Sequence, residues 1–363
     1  MLLRIYCRVQ KIQVKISLNA IRNNAKRFKS LTKTRLCAVV KANAYGHGAE
    51  EVVCALQSVA DCFAVALLEE GLAIRGAACG KEILVFTPPL DDEEVYMLAA
   101  NGFTASVTDL WTAKLLSKAC AKFALPIKVH LKVNTGMNRY GMDVCALGKT
   151  CRFLQNDPYV KVAGLYSHLY GDTRESAYRQ RAEFLKMQAV CRRYFPDVIS
   201  HLGATFGALL GQNFRFDMLR IGLGLYGYLP KCEVSEKMRG ALSLQKAMFA
   251  QAKLVVCRRI SVGGIGYGKT YSERERKEIG RVSVCRFGYA DGFLRKKENG
   301  VTGAEKNAGA LCMDVCIRKH TGKRGEWLPV ITDAEETAEK TGTIAYEVLC
   351  AASRRAEMIY EDG

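Results

Sequence analysis

Proline is scarce in this chain, 7 residues in 363, which argues against long extended or disordered linkers. No C-x-x-C pair occurs among the 15 cysteines; they are scattered, with Cys312 and Cys316 the nearest two. The 5 histidines do not complete a zinc set with them, so no metal site is expected. Long apolar runs are missing as well: the longest, Cys62 to Leu68, is far too short to span a bilayer. The start, Met1 to Gln10, is briefly apolar but broken by Arg4 and Arg8, unlike a secretory signal. These absences point away from zinc, membrane and disulfide-scaffold proteins and lead us to expect a reduced, cytoplasmic, soluble protein.

What is present is ample core: 49% of the residues are apolar, and the length suits two domains or one large barrel with a smaller companion. The net charge of +18 raises the question of nucleic acid. The basic residues are spread over many segments, among them Arg22 to Arg35, Arg274 to Lys277, Arg295 to Lys297 and Arg318 to Arg324. Many fall at helical spacing opposite apolar positions, as on a solvated face. No nucleic-acid-binding motif accompanies them, so specific nucleic-acid recognition is not expected.

Short apolar runs recur through the first 230 residues: Leu36–Val40, Phe63–Leu67, Ile83–Phe86, Phe103–Ser106, Ile127–Val133, Val160–Ser167, Val198–His201 and Asp217–Ile221. Amphipathic stretches such as Ala49–Val59, Asp91–Ala100, Asp109–Lys122 and Arg174–Tyr194 lie between them. Eight strands alternating with helices predict a (β/α)8 barrel over 1–230. Over 231–363 the texture changes: Val255–Ile260, Glu278–Phe287 and Gly309–Ile317 read as strands, with helix confined to Ala334–Lys340 and Tyr346–Arg354. This predicts a mainly β second domain, with which the first 15 or so residues could pair.

The stretch "AVVKANAYGHG", Ala38 to Gly48, ends an apolar strand on Lys41. Such a lysine is costly unless its amine is exposed or employed. On the barrel count it has company: Asn134 to Arg139 follow strand five, His168 and His201 end strands six and seven, and Arg220 ends strand eight. All fall at the C-terminal ends of strands, the face on which such barrels build active sites. A buried lysine near other cations loses its proton more readily, and the neutral amine can form a Schiff base. Pyridoxal phosphate is one partner for it, with its phosphate held at a barrel rim by the loops after strands seven and eight. Here those loops carry Thr205 in "HLGATFG" and Gly222–Leu223 in "RIGLGLYG".

The chain also resembles a known family. "AVVKANAYGHG", "VHLKVNTGMNRYG", "RIGLGLYG", "GYGKTY", "GYADG", "LCMD" and "RRAEMIY", in this order over nearly the whole length, are similar to alanine racemases. The resemblance implies a barrel followed by a β domain, pyridoxal 5'-phosphate as cofactor, and a head-to-tail homodimer with shared active sites. It implies Lys41 as the Schiff-base lysine and one acid/base group, and Tyr267 as the other, from the opposite substrate face. Arg220 would meet the pyridine nitrogen. Tyr45, Thr205, Gly222, Leu223 and Tyr360 would hold the phosphate. Arg139 and the Met313 backbone would hold the substrate carboxylate, beside Asp314. Lys132, often carbamylated in the family, would brace Arg139, while His168 and His201 would orient Tyr267 and Arg220.

Four departures accompany the match: Ala204–Thr205 for the usual Asn-Ser, Asn134 for a common Asp, a short segment from Gly292 to Cys312, and Glu357–Met358 for Pro-Arg. The activity implied is interconversion of L- and D-alanine for peptidoglycan. Racemisation of serine, or pyridoxal-phosphate binding without catalysis, are the alternatives; the bulk of Tyr360 favours alanine.

Overall fold

The computed structural model describes residues 12–171, 173–231, 240–267, 270–293, 308–319 and 322–362. The short segment expected between Gly292 and Cys312 falls largely outside them. The chain divides into two units: Ala20–Ala44 with Ala49–Gln245, and the described residues of Met1–Asn19, Tyr45–Gly48 and Lys246–Gly363.

In the first unit, eight short strands are covered by helices and buried along nearly their whole length. They are β2 (Arg35–Val39), β3 (Cys62–Val65), β4 (Ile83–Val85), β5 (Thr104–Val107), β6 (Ile127–Lys132), β7 (Val160–Tyr166), β8 (Ile199–His201) and β9 (Met218–Ile221). All neighbours pair in parallel, in the order β8-β7-β6-β5-β4-β3-β2-β9. The ends of this sheet approach each other through Asp217 N–H to Ser200 O (3.0 Å) and Arg220 N–H to Gly203 O (3.1 Å), giving a nearly closed barrel. Each strand lies within two residues of a stretch expected from the apolar runs. Helix starts are set by acceptor side chains: Asp91, Asp109 and Asp143 each take the N–H three residues on, which would otherwise be unsatisfied.

The second unit is built on a long strand, β10 (Met248–Arg259), which pairs antiparallel with β1 (Ile12–Ser17), β11 (Arg281–Cys285) and β13 (Trp327–Ile331). The edges are completed by β12 (Cys316–Arg318) on β11 and β14 (Glu357–Glu361) parallel to β1. Strand β1 thus brings the start of the described chain into this sheet.

Two expectations are corrected here. The strand expected at Glu278–Phe287 begins only at Arg281, because Glu273–Ile279 is a helix. Its start is a capping box, Ser272 Oγ accepting from Glu275 N–H while the Glu275 carboxylate accepts from Ser272 N–H. Pairs Arg274–Glu278 and Lys277–Glu273 add support one turn apart, and Gly280 at φ +68° ends it. The strand expected at Gly309–Ile317 is reduced to Cys316–Arg318. The residues before it make other bonds: Cys312 and Met313 carbonyls accept from Tyr289 and Ala290 N–H, and Ala310 bridges Gly266 and Tyr267.

Lys41–Gly46 forms a helical turn of unusual hand. Ala42, Asn43, Ala44 and Tyr45 have φ between +52° and +54°, followed by Gly46 at +80°, so the turn is left-handed. For L-residues this costs roughly 1–2 kcal/mol each. In the barrel unit it is held by Ala42 N–H to Glu70 Oε1 (2.6 Å), Ala44 N–H to Val40 O (2.8 Å) and Ala49 N–H to Asn43 Oδ1 (2.8 Å). Gly46 has no alternative: a Cβ there would lie 2.3 Å from Leu349 O.

Candidate functional site

Strand β2 ends at Val39, so Lys41 stands just past the C-terminal end of a central barrel strand and opens the left-handed turn. Backbone strain of this kind gathers at functional sites, where it fixes a side chain's origin.

Arg220, on β9, is 3% exposed. Its Nη1 donates to His201 Nδ1 (2.8 Å) and His201 O (3.0 Å). Its Nη2 donates to Ser167 O (2.6 Å) and Leu202 O (3.2 Å) and lies 3.4 Å from His168 Nδ1. All of these partners are neutral. Burial lowers the guanidinium pKa to about 10, partly opposed by Tyr166 and Cys37, so the cation persists at neutral pH.

Lys132 ends β6 and is likewise buried, its amine donating to Val133 O (3.0 Å) and Ser167 Oγ (3.3 Å). Burial first, then Arg220 and Arg139, pull it down to about 7, so a large share of the amine is neutral near pH 7. Two cations repel, so Lys132 cannot brace Arg139 as an ammonium; an anionic derivative of the amine could. His168 is held well below its usual pKa by burial and then by Arg220, Lys132, Arg139 and Lys41. His168 thus lies within the field of Arg220, Lys132, Arg139 and Lys41, and Arg220 also bonds His201, at the C-terminal end of the barrel strands. His168 sits beside Arg220.

Asn134, standing where an aspartate is common, organises the loop that leads to Arg139. Its Oδ1 accepts from the N–H of Gly136 (3.0 Å) and Asn138 (3.1 Å), and its Nδ2 donates to Asn138 Oδ1 (2.8 Å). A carboxylate could accept but could not donate.

Three buried residues that the motifs did not single out complete the floor. Tyr166 stacks on His201 with centroids 5.0 Å apart and planes 2° from parallel, and its hydroxyl is 2.7 Å from Ser106 Oγ. Its face also receives Lys132 Nζ at 5.2 Å and the Arg220 guanidinium at 5.5 Å. Ser167 joins Lys132 to Arg220 through its hydroxyl and its carbonyl. His130 sits two residues before Lys132 on β6. Alternation could have flagged it: His130 with Lys132, and Tyr166 with His168, are polar i, i+2 pairs in otherwise apolar runs.

The fit to pyridoxal phosphate rests on the donor set. Thr205, 5% exposed, opens the helix Thr205–Leu210, whose cap residue Ala204 offers no side-chain acceptor. Its first N–H groups are therefore suited to an external acceptor such as a phosphate. Thr205 Oγ1 also lies 3.4 Å from Gly224 N, in the turn that follows Gly222 and contains Leu223. A Cβ on Gly224 would come within 2.5 Å of Phe28, so only glycine lets this turn approach. An amine, the buried Arg220 and Lys132 bonded to neutral groups, and a hydroxyl beside a glycine turn suit an anionic aldehyde cofactor.

In the second unit, Tyr45 is 7% exposed and its ring lies 6.0 Å from that of Tyr346. Tyr267 is 64% exposed and Met313 52%. Asp314 accepts from both Nη atoms of Arg355 (3.0 Å each), which also grips Asp291 (2.7 Å). Tyr360 lies on β14 opposite Ile16, and Glu357, at a departure from the family pattern, accepts from Gln13 (3.1 Å). A cavity of about 470 Å³ in this unit is lined by Tyr289, Phe293, Glu347 and Arg354 among others, and by none of the expected site residues.

Residues 16–230 match the family description "Alanine racemase, N-terminal domain" and residues 247–360 "Alanine racemase, C-terminal domain". The alanine racemase of Synechocystis sp. is 32% identical, covering 96% of this chain and 99% of its own. The solved alanine racemase of Clostridium difficile 630 superposes with a TM-score of 0.88 at 27% identity, over 98% of this chain and 96% of that one. That of Bartonella henselae with covalently bound pyridoxal phosphate gives 0.84 at 26%, over 97% and 99%. With both family domains matched in order and the barrel face built as described, this chain belongs to the alanine racemase family of isomerases.

Proposed function

We propose that this protein interconverts L- and D-alanine with pyridoxal phosphate bound covalently through Lys41, supplying D-alanine for peptidoglycan in the cytoplasm. The observation that carries the reading is the convergence of Lys41, Lys132, Arg139 and Arg220 on the rim that holds His168. The bound cofactor supplies an electron sink that acidifies the amino acid's Cα–H. Arg220 would face the ring nitrogen as a hydrogen-bond donor with no proton to give up, which would keep that sink weak and limit side reactions. Thr205, Tyr45, Tyr360 and the Gly222–Leu223 backbone hold the phosphate; Arg139 and the Met313 N–H hold the substrate carboxylate.

Racemisation needs two groups on opposite faces of the reacting carbon. Lys41 and Tyr267 take these roles: while one removes the proton from its own face, the other delivers a proton to the opposite face, and the two exchange roles in the reverse direction. In a head-to-tail dimer the tyrosine facing Lys41 is Tyr267 of the partner subunit. Asp314, through Arg355, steadies the loop that carries Met313.

The test is a racemisation assay on L-alanine and L-serine, with and without added pyridoxal phosphate, followed by borohydride reduction and peptide mapping. Alanine turnover that depends on the cofactor, and a reduced adduct on Lys41, are expected. An adduct on another lysine, or faster serine turnover, would overturn the corresponding part.

A further inference from the structure

Beneath Arg220 the barrel interior, usually packed with branched apolar side chains, holds a polar chain. His201 Nε2 lies 2.9 Å from His130 Nδ1, and His130 Nε2 lies 3.6 Å from Glu82 Oε1. Glu82 Oε1 in turn accepts from Thr104 Oγ1 at 2.8 Å. Glu82 directly precedes β4 and therefore stands at the N-terminal mouth of the barrel, whereas Arg220 stands near the C-terminal end of β9. The series runs from one mouth to the other.

Its hydrogens have one consistent arrangement. A guanidinium only donates, so His201 Nδ1 accepts from Arg220. A neutral His201 then carries its proton on Nε2 and donates to His130 Nδ1, which leaves the His130 proton on Nε2, facing the carboxylate. Burial and the cations Arg220, Lys132 and Arg35 keep His201 neutral. Burial likewise brings His130 down to about 4, with Glu82 opposing and Arg220 and Arg35 assisting.

The packing makes room for this chain at a cost. His130 is 1% exposed, and its register partner on β7 is Gly164, where a Cβ would lie 2.5 Å from the imidazole Cδ2. The β6–β7 register shifts between Val129 and His130, and Tyr166 stacks on His201 from above. Two buried imidazoles and a glycine replace what could have been ordinary core.

We propose that Glu82 and His130 are positioning residues that act on Arg220 through His201. At 3.6 Å the carboxylate is too far to accept a hydrogen bond from His130 Nε2, which has no other acceptor among the described residues, so it acts on that N–H through its charge. The two neutral imidazoles, hydrogen-bonded in series, each become stronger acceptors and hold the guanidinium in the orientation with which it would meet the cofactor's ring nitrogen. No proton changes its owner. The proposal rests on the reading of Arg220 given above.

Two measurements test it. In the cofactor-free protein, nitrogen-detected NMR of the histidine rings should show His130 and His201 as neutral Nε2–H tautomers that do not titrate between about pH 5 and 8. An Nδ1–H tautomer at His201, or a ring titrating in that range, would overturn the relay. In the loaded enzyme, Glu82→Gln keeps an acceptor but removes the charge. It should shift the visible absorption band of the bound cofactor and lower kcat about fivefold at unchanged KM, with Glu82→Asp restoring part of both. Glu82→Gln with wild-type absorption and kcat would overturn the proposal. Borohydride labelling of a lysine other than Lys41 would refute the site reading instead, and the tautomer measurement would still decide the relay.

Discussion

Arg220 and His201 share two hydrogen bonds: one guanidinium nitrogen donates both to the imidazole Nδ1 at 2.8 Å and to the His201 carbonyl at 3.0 Å. Together with the bonds to Ser167 and Leu202, this ties one side chain to the C-terminal ends of both β7 and β8. A point charge on a flexible stem could not reproduce the fork. Arg220→Lys should therefore keep the positive charge and lose the geometry, lowering kcat by roughly a hundredfold. Steady-state racemisation and a pyridoxal-phosphate titration check this; a lysine variant within a factor of about three of wild type would argue that charge alone matters.

Lys132 gives a pH dependence of stability. Its folded pKa of about 7 lies below the ordinary lysine value of 10.5. The unfolded chain then binds more protons between those values, so stability rises with pH over that window. Below about pH 7 the fold carries the full penalty of a buried ammonium, a few kcal/mol. Lys132→Met should be the more stable protein near pH 6 and lose that advantage towards about pH 10, as followed by urea unfolding. If bicarbonate converts the amine to a carbamate, the anion can brace Arg139, and intact-mass analysis should show the added carbon dioxide. Parallel stability profiles for the two proteins would contradict the shift.

Sharing of sites between subunits is tested by mixing. Lys41→Ala and Tyr267→Ala should each be inactive alone. Unfolded together and refolded, about half the dimers are mixed, and each mixed dimer has one intact site of two, so activity should return to roughly one quarter of wild type. Exchange of subunits without any recovery would place Lys41 and Tyr267 in one chain's site.

The left-handed turn after Lys41 makes opposite predictions at two positions. Ala42 is exposed at φ +52°, and glycine meets no steric penalty there, so Ala42→Gly should stabilise by about 0.5–1 kcal/mol despite its entropy cost. Gly46→Ala would drive a Cβ to 2.3 Å from Leu349 O and should destabilise by about 3 kcal/mol or more. Thermal unfolding of both variants decides; equal melting temperatures would mean that the turn relaxes.

Strand positions in the barrel were readable from local sequence because a strand buried on both faces is a short apolar run, and turn and cap residues punctuate it. The rim position of Lys41 followed from that count. The helix at Glu273–Ile279 was also written locally, in Ser272 and Glu275 three apart, but a strand was expected nearby because the apolar pattern through Val282 and Cys285 dominates the stretch. The left-handed hand of Ala42 to Tyr45 was not legible, since alanine and tyrosine prefer the opposite hand and tertiary contacts such as that with Glu70 help to hold it.

What the sequence by itself determined was the alternation of strand and helix, the family motifs, and which residue types stand at strand ends. What only the tertiary structure decided was which of them meet. His130 is 71 residues from His201 in sequence, yet the two rings lie across one barrel interior. The physical reason is that period-two alternation assigns a side chain to a face of its own strand. Which side chain it touches depends on strand order, register and the bulge before His130, and those are set by packing across the whole barrel.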